Sequence, residues 1–190
     1  IPGLAFDGAL GAHFIAIRVE SLSFLPGFAI GTATATLVGQ YLGANNPKMA
    51  LKALRTAWLF ALAFMSTIGV FFLLAPEIIV RLILPETDTQ ATQLIAVAGP
   101  LVFICGIFQP ALATTIVLKT CLRGAGATRI VMTCSFTCLI LIRIIGITVY
   151  DAFYELTLIK IWTFMSIDLF IQAGLFIAIA FRGKWLETKV

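Results

Sequence analysis

Five stretches of the chain, at approximately 9–42, 53–74, 91–118, 130–150 and 158–181, are apolar for long enough to cross a lipid bilayer. Such a crossing needs about 20 residues of helix. The breaks between them carry turn formers and charge: Gly43-Ala44-Asn45-Asn46-Pro47, Pro85-Glu86-Thr87-Asp88 and Gly124-Ala125-Gly126. No stretch alternates apolar and polar residues as a membrane-spanning strand must. The pattern therefore predicts an all-α integral membrane protein, a bundle of about five transmembrane helices. Composition points the same way, with 61% of residues hydrophobic and 12% charged, where a soluble domain has about 25% charged. So few charges cannot cover a water-facing surface, but lipid can solvate the remainder.

The net charge of +4 is small, and its Lys and Arg residues sit at the ends of apolar runs. That placement argues for loop bias and against nucleic-acid binding. One side of the predicted bundle holds Lys48, Lys52 and Arg55, then Lys119, Arg123 and Arg129, then Arg182, Lys184 and Lys189. The other has Arg81 and Lys160 among Glu77, Glu86, Asp88, Asp151 and Glu155. Basic loops face the cytoplasm in cell membranes. A multi-pass protein of the cell (inner) membrane with a cytoplasmic C-terminus is expected. The chain opens at Ile1 with no signal-peptide pattern, and an odd number of spans with an external start leads us to expect further helices upstream.

The first apolar stretch is too long for one simple span: about 34 residues at 1.5 Å make roughly 50 Å, against about 30 Å of hydrocarbon. Pro26 followed by Gly27 is the natural kink, and Pro100 and Pro110 are kink positions in the third span. Small residues recur every fourth position at Gly27, Gly31, Ala35, Gly39 and Gly43. That stripe permits close helix packing, or a sliding contact.

Charged groups inside spans are costly, at least about 2.5 kcal/mol each, and so mark pairs or functional sites. Four stand out: Arg18, Glu20, Arg143 and Asp168. Arg18 and Glu20 are two residues apart and should not pair; Arg18 and Arg143 are read as structural or positioning charges. Glu20 shares a helix face with His13, and Asp168 with Gln172. Either acid can take up a coupling ion, or can be held in an interhelical pair, Asp168 with Arg143 for example. Gln109 before Pro110 brings an amide to a kink that frees the Gly106 carbonyl, and is a candidate for a substrate path or a simple bend. The 16 Phe residues offer apolar walls for a lipophilic cation. Cys105, Cys121, Cys134 and Cys138 fit neither a zinc site nor a disulfide frame and read as packing residues. No GxxxxGK[ST], HExxH or GxSxG occurs, so nothing supports ATP drive or an enzyme, and no metal site or cofactor is expected beyond the coupling ion.

Three stretches carry a family resemblance. One is Gly11-Ala12-His13 through Glu20-Ser21-Leu22-Ser23-Phe24-Leu25-Pro26-Gly27 to Val38-Gly39-Gln40-Tyr41-Leu42-Gly43-Ala44. The second is Gln109-Pro110 followed by Leu122-Arg123-Gly124-Ala125-Gly126. The third is Ile167-Asp168 followed by Phe181-Arg182-Gly183-Lys184-Trp185. Across nearly all of 1–190 the chain resembles the second half of a multidrug and toxic compound extrusion (MATE) family transporter. The resemblance implies two six-helix lobes, with this chain supplying most of the C-terminal one as helices eight to twelve. It implies an antiporter that exports lipophilic or cationic drugs in exchange for H⁺ or Na⁺. Its partners would be the bilayer, a small lipophilic or cationic substrate and the missing N-terminal lobe. Glu20 and Asp168 then lie where many members carry acids, with Na⁺ a further ion that Glu20 could hold. Two positions depart from the pattern. Ala127 stands where an acid is usual after LRGAG. Leu112 stands where one subgroup has a cation-binding Asp, which leaves Glu20 or the missing lobe to carry coupling. A lipid-linked oligosaccharide flippase of the same fold, or a non-transporting membrane scaffold, are the alternatives.

Overall fold

A computed structural model describes residues 8–84 and 89–187, with backbone alone at 89–91, 184 and 187. Glu86, Asp88 and Lys189 of the loop charges lie outside the described residues, as does the side chain of Lys184. All of the regular structure in that range is helical: α1 (Ala9–Gly43), α2 (Pro47–Leu74), α3 (Pro76–Ile83), α4 (Thr89–Gly124), α5 (Thr128–Cys138), a π-helical stretch (Leu139–Gly146), α6 (Ile147–Phe153) and α7 (Leu158–Arg182), closed by a 3₁₀ turn at Lys184–Glu187. Helix α5, the π stretch and α6 are continuous and make one span. Five helical units are therefore long and apolar enough to cross a membrane.

Local chemistry sets the helix ends. Asn45 takes the left-handed conformation at φ 55° that Asn tolerates better than most side chains. Asn46 accepts from the Met49 N–H at 3.2 Å, with Pro47 opening α2. This cap starts α2 six residues before the apolar run that begins at Ala53, so that its first turns carry Lys48 and Lys52. Gly183, at φ 74°, stops α7. The acidic-end connection contains α3, a short amphipathic helix carrying Glu77 and Arg81, which lies between the predicted spans.

Helix α4 is the axle. In its span 78% of the apolar window is buried by protein, against 11% for the span made of α5 and α6. Helices α1, α2, α3 and α7 all pack on α4. The core has two apolar halves. Val19, Leu101, Phe108 and Trp162 lie in the half toward the acidic end, and Val38, Leu54, Leu122 and Phe176 in the half toward the basic end. Large side chains such as Phe60, Phe71, Met132 and Phe136 point outward, as they can where lipid is the solvent.

Helix α1 runs without interruption through Pro26, and α4 through Pro100 and Pro110. Glycines let these long rods touch backbone to backbone. A Cβ on Gly106 would stand 2.8 Å from the Gly69 carbonyl oxygen, and one on Gly69 would stand 3.0 Å from that of Gly106. A Cβ on Gly124 would meet the Ala35 carbonyl oxygen at 2.6 Å. The small stripe of α1 is part of this packing, with Gly27 against Met65 and Gly31 against Thr120. Gly43 differs from the rest of the stripe: it ends the helix and has no neighbour within 4 Å.

This contrast gives a stability test on the full-length protein. Gly106→Ala should lower the thermal midpoint, by an overpacking cost of about 1–3 kcal/mol. Gly43→Ala should leave it unchanged or raise it slightly. Equal effects of the two substitutions would contradict the crossing geometry.

Candidate functional site

A polar layer lies between the two apolar halves, at the middle of the helices. A bilayer core supplies no hydrogen-bond partners, so polar groups at this depth must find them within the protein. On α7, Asp168 is fully buried. Its Oδ2 accepts from Arg143 Nε at 2.7 Å. Gln172, one turn further along, donates through Nε2 to Oδ1 at 2.9 Å and to Oδ2 at 3.0 Å. Two charge-assisted contacts thus hold one carboxylate. The Arg143 side chain is 30% exposed while that of Asp168 is 1% exposed, so the arginine reaches the acid from a more open face.

Arg143 sits within the π-helical stretch Leu139–Gly146. An extra residue per turn shifts the side-chain register and rotates everything after it. Period-based reading treats 130–150 as a regular span and misses this. Gly146 lies within the same stretch; nothing else in the local sequence signals it.

Glu20 is half-buried on α1, and its carboxylate has no hydrogen bond or ion pair among the described residues. An ion pair with an arginine of another helix, one of the expected arrangements, does not form. Its charge is nonetheless felt at Cys105 of α4, and the charge of Arg143 acts on it. Asp168 and Arg143 also act on Lys119 near the end of α4. Tertiary folding brings Arg143 and Asp168 into contact from separate spans, with Glu20 and Lys119 within longer-range electrostatic reach of them. Lys119 was read from the sequence only as a loop charge.

Gln109 is placed differently from a substrate-path residue. It is fully buried inside the lobe. Its Nε2 donates to Ser23 Oγ at 2.8 Å, and Ser23 in turn donates to the Glu20 carbonyl oxygen at 2.8 Å. Gln109 therefore braces the turn of α1 that carries Glu20, and Gly69 of α2 packs on its Cβ. The Gln109 and Gln172 Oε1 atoms are buried without partners. Pro110 removes the N–H that would bind the Gly106 carbonyl, and this carbonyl lies at the Gly69 crossing. Thr114 Oγ1 donates to the Pro110 carbonyl at 2.8 Å and accepts from Trp58 Nε1 at 3.1 Å, which ties α2 to the proline turn.

Arg18 is exposed on α1 and touches none of these groups. With Thr32, Thr36 and Gln40, also exposed, it gives the outer face of α1 a polar character that lipid would not favour. His13 accepts from Trp162 Nε1 at 3.1 Å, with the two rings edge to face, and so joins α1 to α7 one and a half to two turns from Glu20. Among the described residues no three His, Cys, Asp or Glu side chains converge on a common point.

A bundle of five membrane-crossing helices with a buried acid–arginine pair at mid-depth is a multi-pass membrane protein built around an intramembrane charge group. The MatE family model matches residues 6–149, and the chain belongs to that family, a family of transporters. It is 34% identical over 182 residues to a probable multidrug resistance protein NorM of Thermotoga maritima, covering 96% of this chain and 38% of that protein. A multidrug resistance protein NorM of Burkholderia vietnamiensis is 38% identical over 124 residues, covering 65% of this chain and 27% of that protein. A probable NorM of Burkholderia mallei is 35% identical over 130 residues, or 68% and 28%. The chain thus spans between 27% and 38% of these relatives' length.

The pair predicts non-additive stability effects in the full-length protein. Asp168→Asn or Arg143→Met alone leaves a desolvated charge without its partner, and should each lower the thermal midpoint, at a cost of about 3 kcal/mol. The double variant should recover part of that loss. Strict additivity in a thermal-shift double-mutant cycle would show that the pair carries no coupling energy.

Proposed function

We propose that the full-length protein is a secondary active antiporter that exports lipophilic or cationic drugs in exchange for H⁺ or Na⁺, with Glu20 as the coupling acid of this lobe. The observation that carries the reading is Glu20 itself: a half-buried carboxylate in a membrane span with no counter-ion in contact among the described residues. An unpaired carboxylate at that depth is costly. Binding a proton or a monovalent cation removes the cost, so the site has a reason to fill from the side where the ion is abundant. The fully buried Asp168 already has Arg143 and Gln172, and is better placed to fix the position of Arg143.

Neutralising Glu20 removes its attraction for Arg143, which leaves the arginine to Asp168 alone. Arg143 lies in a π-helical stretch, where the backbone tolerates a change of register. Ion binding is thereby connected to the shape of the fourth span. The relatives' names as multidrug resistance proteins supply the substrate class. The polar outer face of α1 suits a water-accessible cleft shared with the missing N-terminal lobe, as alternating access between two lobes requires. The basic end, with Lys48, Lys52, Arg55, Arg123, Arg129 and Arg182, is assigned to the cytoplasm of the cell (inner) membrane, which places the C-terminus inside.

Ethidium efflux from cells expressing the full-length gene tests the proposal. Glu20→Gln should reduce efflux to the level of empty cells at equal expression, and Asp168→Asn should reduce it less. Unchanged efflux in both variants would sink the carboxylate reading. Loss of wild-type efflux when only the Na⁺ gradient is collapsed assigns Na⁺ as the coupling ion, and loss when only the proton gradient is collapsed assigns H⁺.

A further inference from the structure

At the basic end of the bundle, the last turns of α4 and the first turns of α5 enclose a groove of about 410 Å³. Lys119, Arg123 and Arg129 line it together with the apolar Met132, Phe136 and Leu139. None of the lining residues is acidic. Two further features belong to the same groove, and a third adjoins it in sequence. Ser135 lines it, and the Ser135 hydroxyl is buried without a hydrogen-bond partner. Thr128 brings a second hydroxyl. Ala127, at the N-cap of α5, offers no side-chain acceptor to the first amides of that helix, so the positive end of the helix dipole is uncapped there.

We propose that this groove binds the headgroup of an anionic phospholipid from the surrounding bilayer. The phosphate lies against Arg123, Arg129 and the uncapped start of α5, and the acyl chains run over Met132, Phe136 and Leu139. Charge complementarity selects an anion, since Lys119, Arg123 and Arg129 line the groove and none of its lining residues is acidic. The apolar wall selects a lipid over a free phosphate. Met132 is 67% exposed and Phe136 61% exposed, on the span least covered by protein. A lone phosphate would leave that wall bare, whereas acyl chains cover it. The groove also lies where a headgroup must be, at the end of two spans. Basic pockets between helices at a membrane face are a recurring form of lipid recognition.

The test uses the full-length protein, purified, delipidated and titrated with phosphatidylglycerol or phosphatidylcholine, with bound lipid counted by native mass spectrometry. Two variants are compared with wild type. Arg123→Gln/Arg129→Gln removes two cations; Lys119 is left in place because it stands beside the Asp168 group. Ala127→Asp supplies the missing cap and adds a negative charge beside the groove, and its thermal midpoint is measured alongside because Ala127 is buried. Wild type should prefer phosphatidylglycerol. Its affinity should fall about fivefold for each cation removed, and Ala127→Asp should also weaken it. Equal phosphatidylglycerol affinity in wild type and both variants would overturn the proposal. So would equal retention of phosphatidylcholine by wild type, which would mark an apolar groove without headgroup selection. Displacement of the lipid by inorganic phosphate at matched concentration would overturn the lipid as the ligand in favour of a free anion.

Discussion

A bilayer interior offers no water to polar groups, and this constraint shapes the whole structure. Backbone groups must close within helices, which is why every span is helical. Side-chain polar groups must find each other, which is why they collect in one layer between two apolar halves. The best satisfied member of that layer is Asp168, with Arg143 on one side and Gln172 on the other. Because the pair joins α7 to the fourth span, it fixes a helix that otherwise has little protein around it. Glu20 is the exception, an acid within α1 whose carboxylate has no such contact among the described residues.

Close packing around α4 makes this polar layer possible. Gly69 and Gly106 bring α2 and α4 to backbone contact, and Ala35 and Gly124 do the same for α1 and α4. At those distances short polar side chains span the gap. Ser23 meets Gln109, and Thr114 meets both Trp58 and the Pro110 carbonyl. Proline and glycine, breakers in a soluble helix, here mark where the axle is contacted. The dispersion attraction that replaces a hydrophobic driving force between helices in lipid depends on such approach.

The candidate site was partly visible in the residues alone. Glu20, Arg143 and Asp168 were marked by the cost of charge within a span, and Gln172 by its position one turn from Asp168. Which acid is paired and which is not could not be read, because pairing depends on how helices rotate about their axes. Gln109 carried a sequence signal, an amide beside a proline, but its direction into the lobe depends on α2 covering it. Lys119 gave no intramembrane signal because it falls at the end of an apolar run. The π-helical stretch gave none either, since 139–146 is as apolar and regular as its neighbours.

The sequence by itself determined that the chain is a membrane-embedded helix bundle of about five spans, which end of it is basic, and which few charges lie within it. These follow from length, hydropathy and loop composition, which are local properties summed along the chain. Only the tertiary structure decided that Arg143 belongs to Asp168, that Glu20 has no such partner among the described residues, and that Gln109 braces α1. Each depends on the azimuth and depth at which one helix meets another. Those are set by glycine contacts and by a change of helical register, neither of which a residue encodes alone.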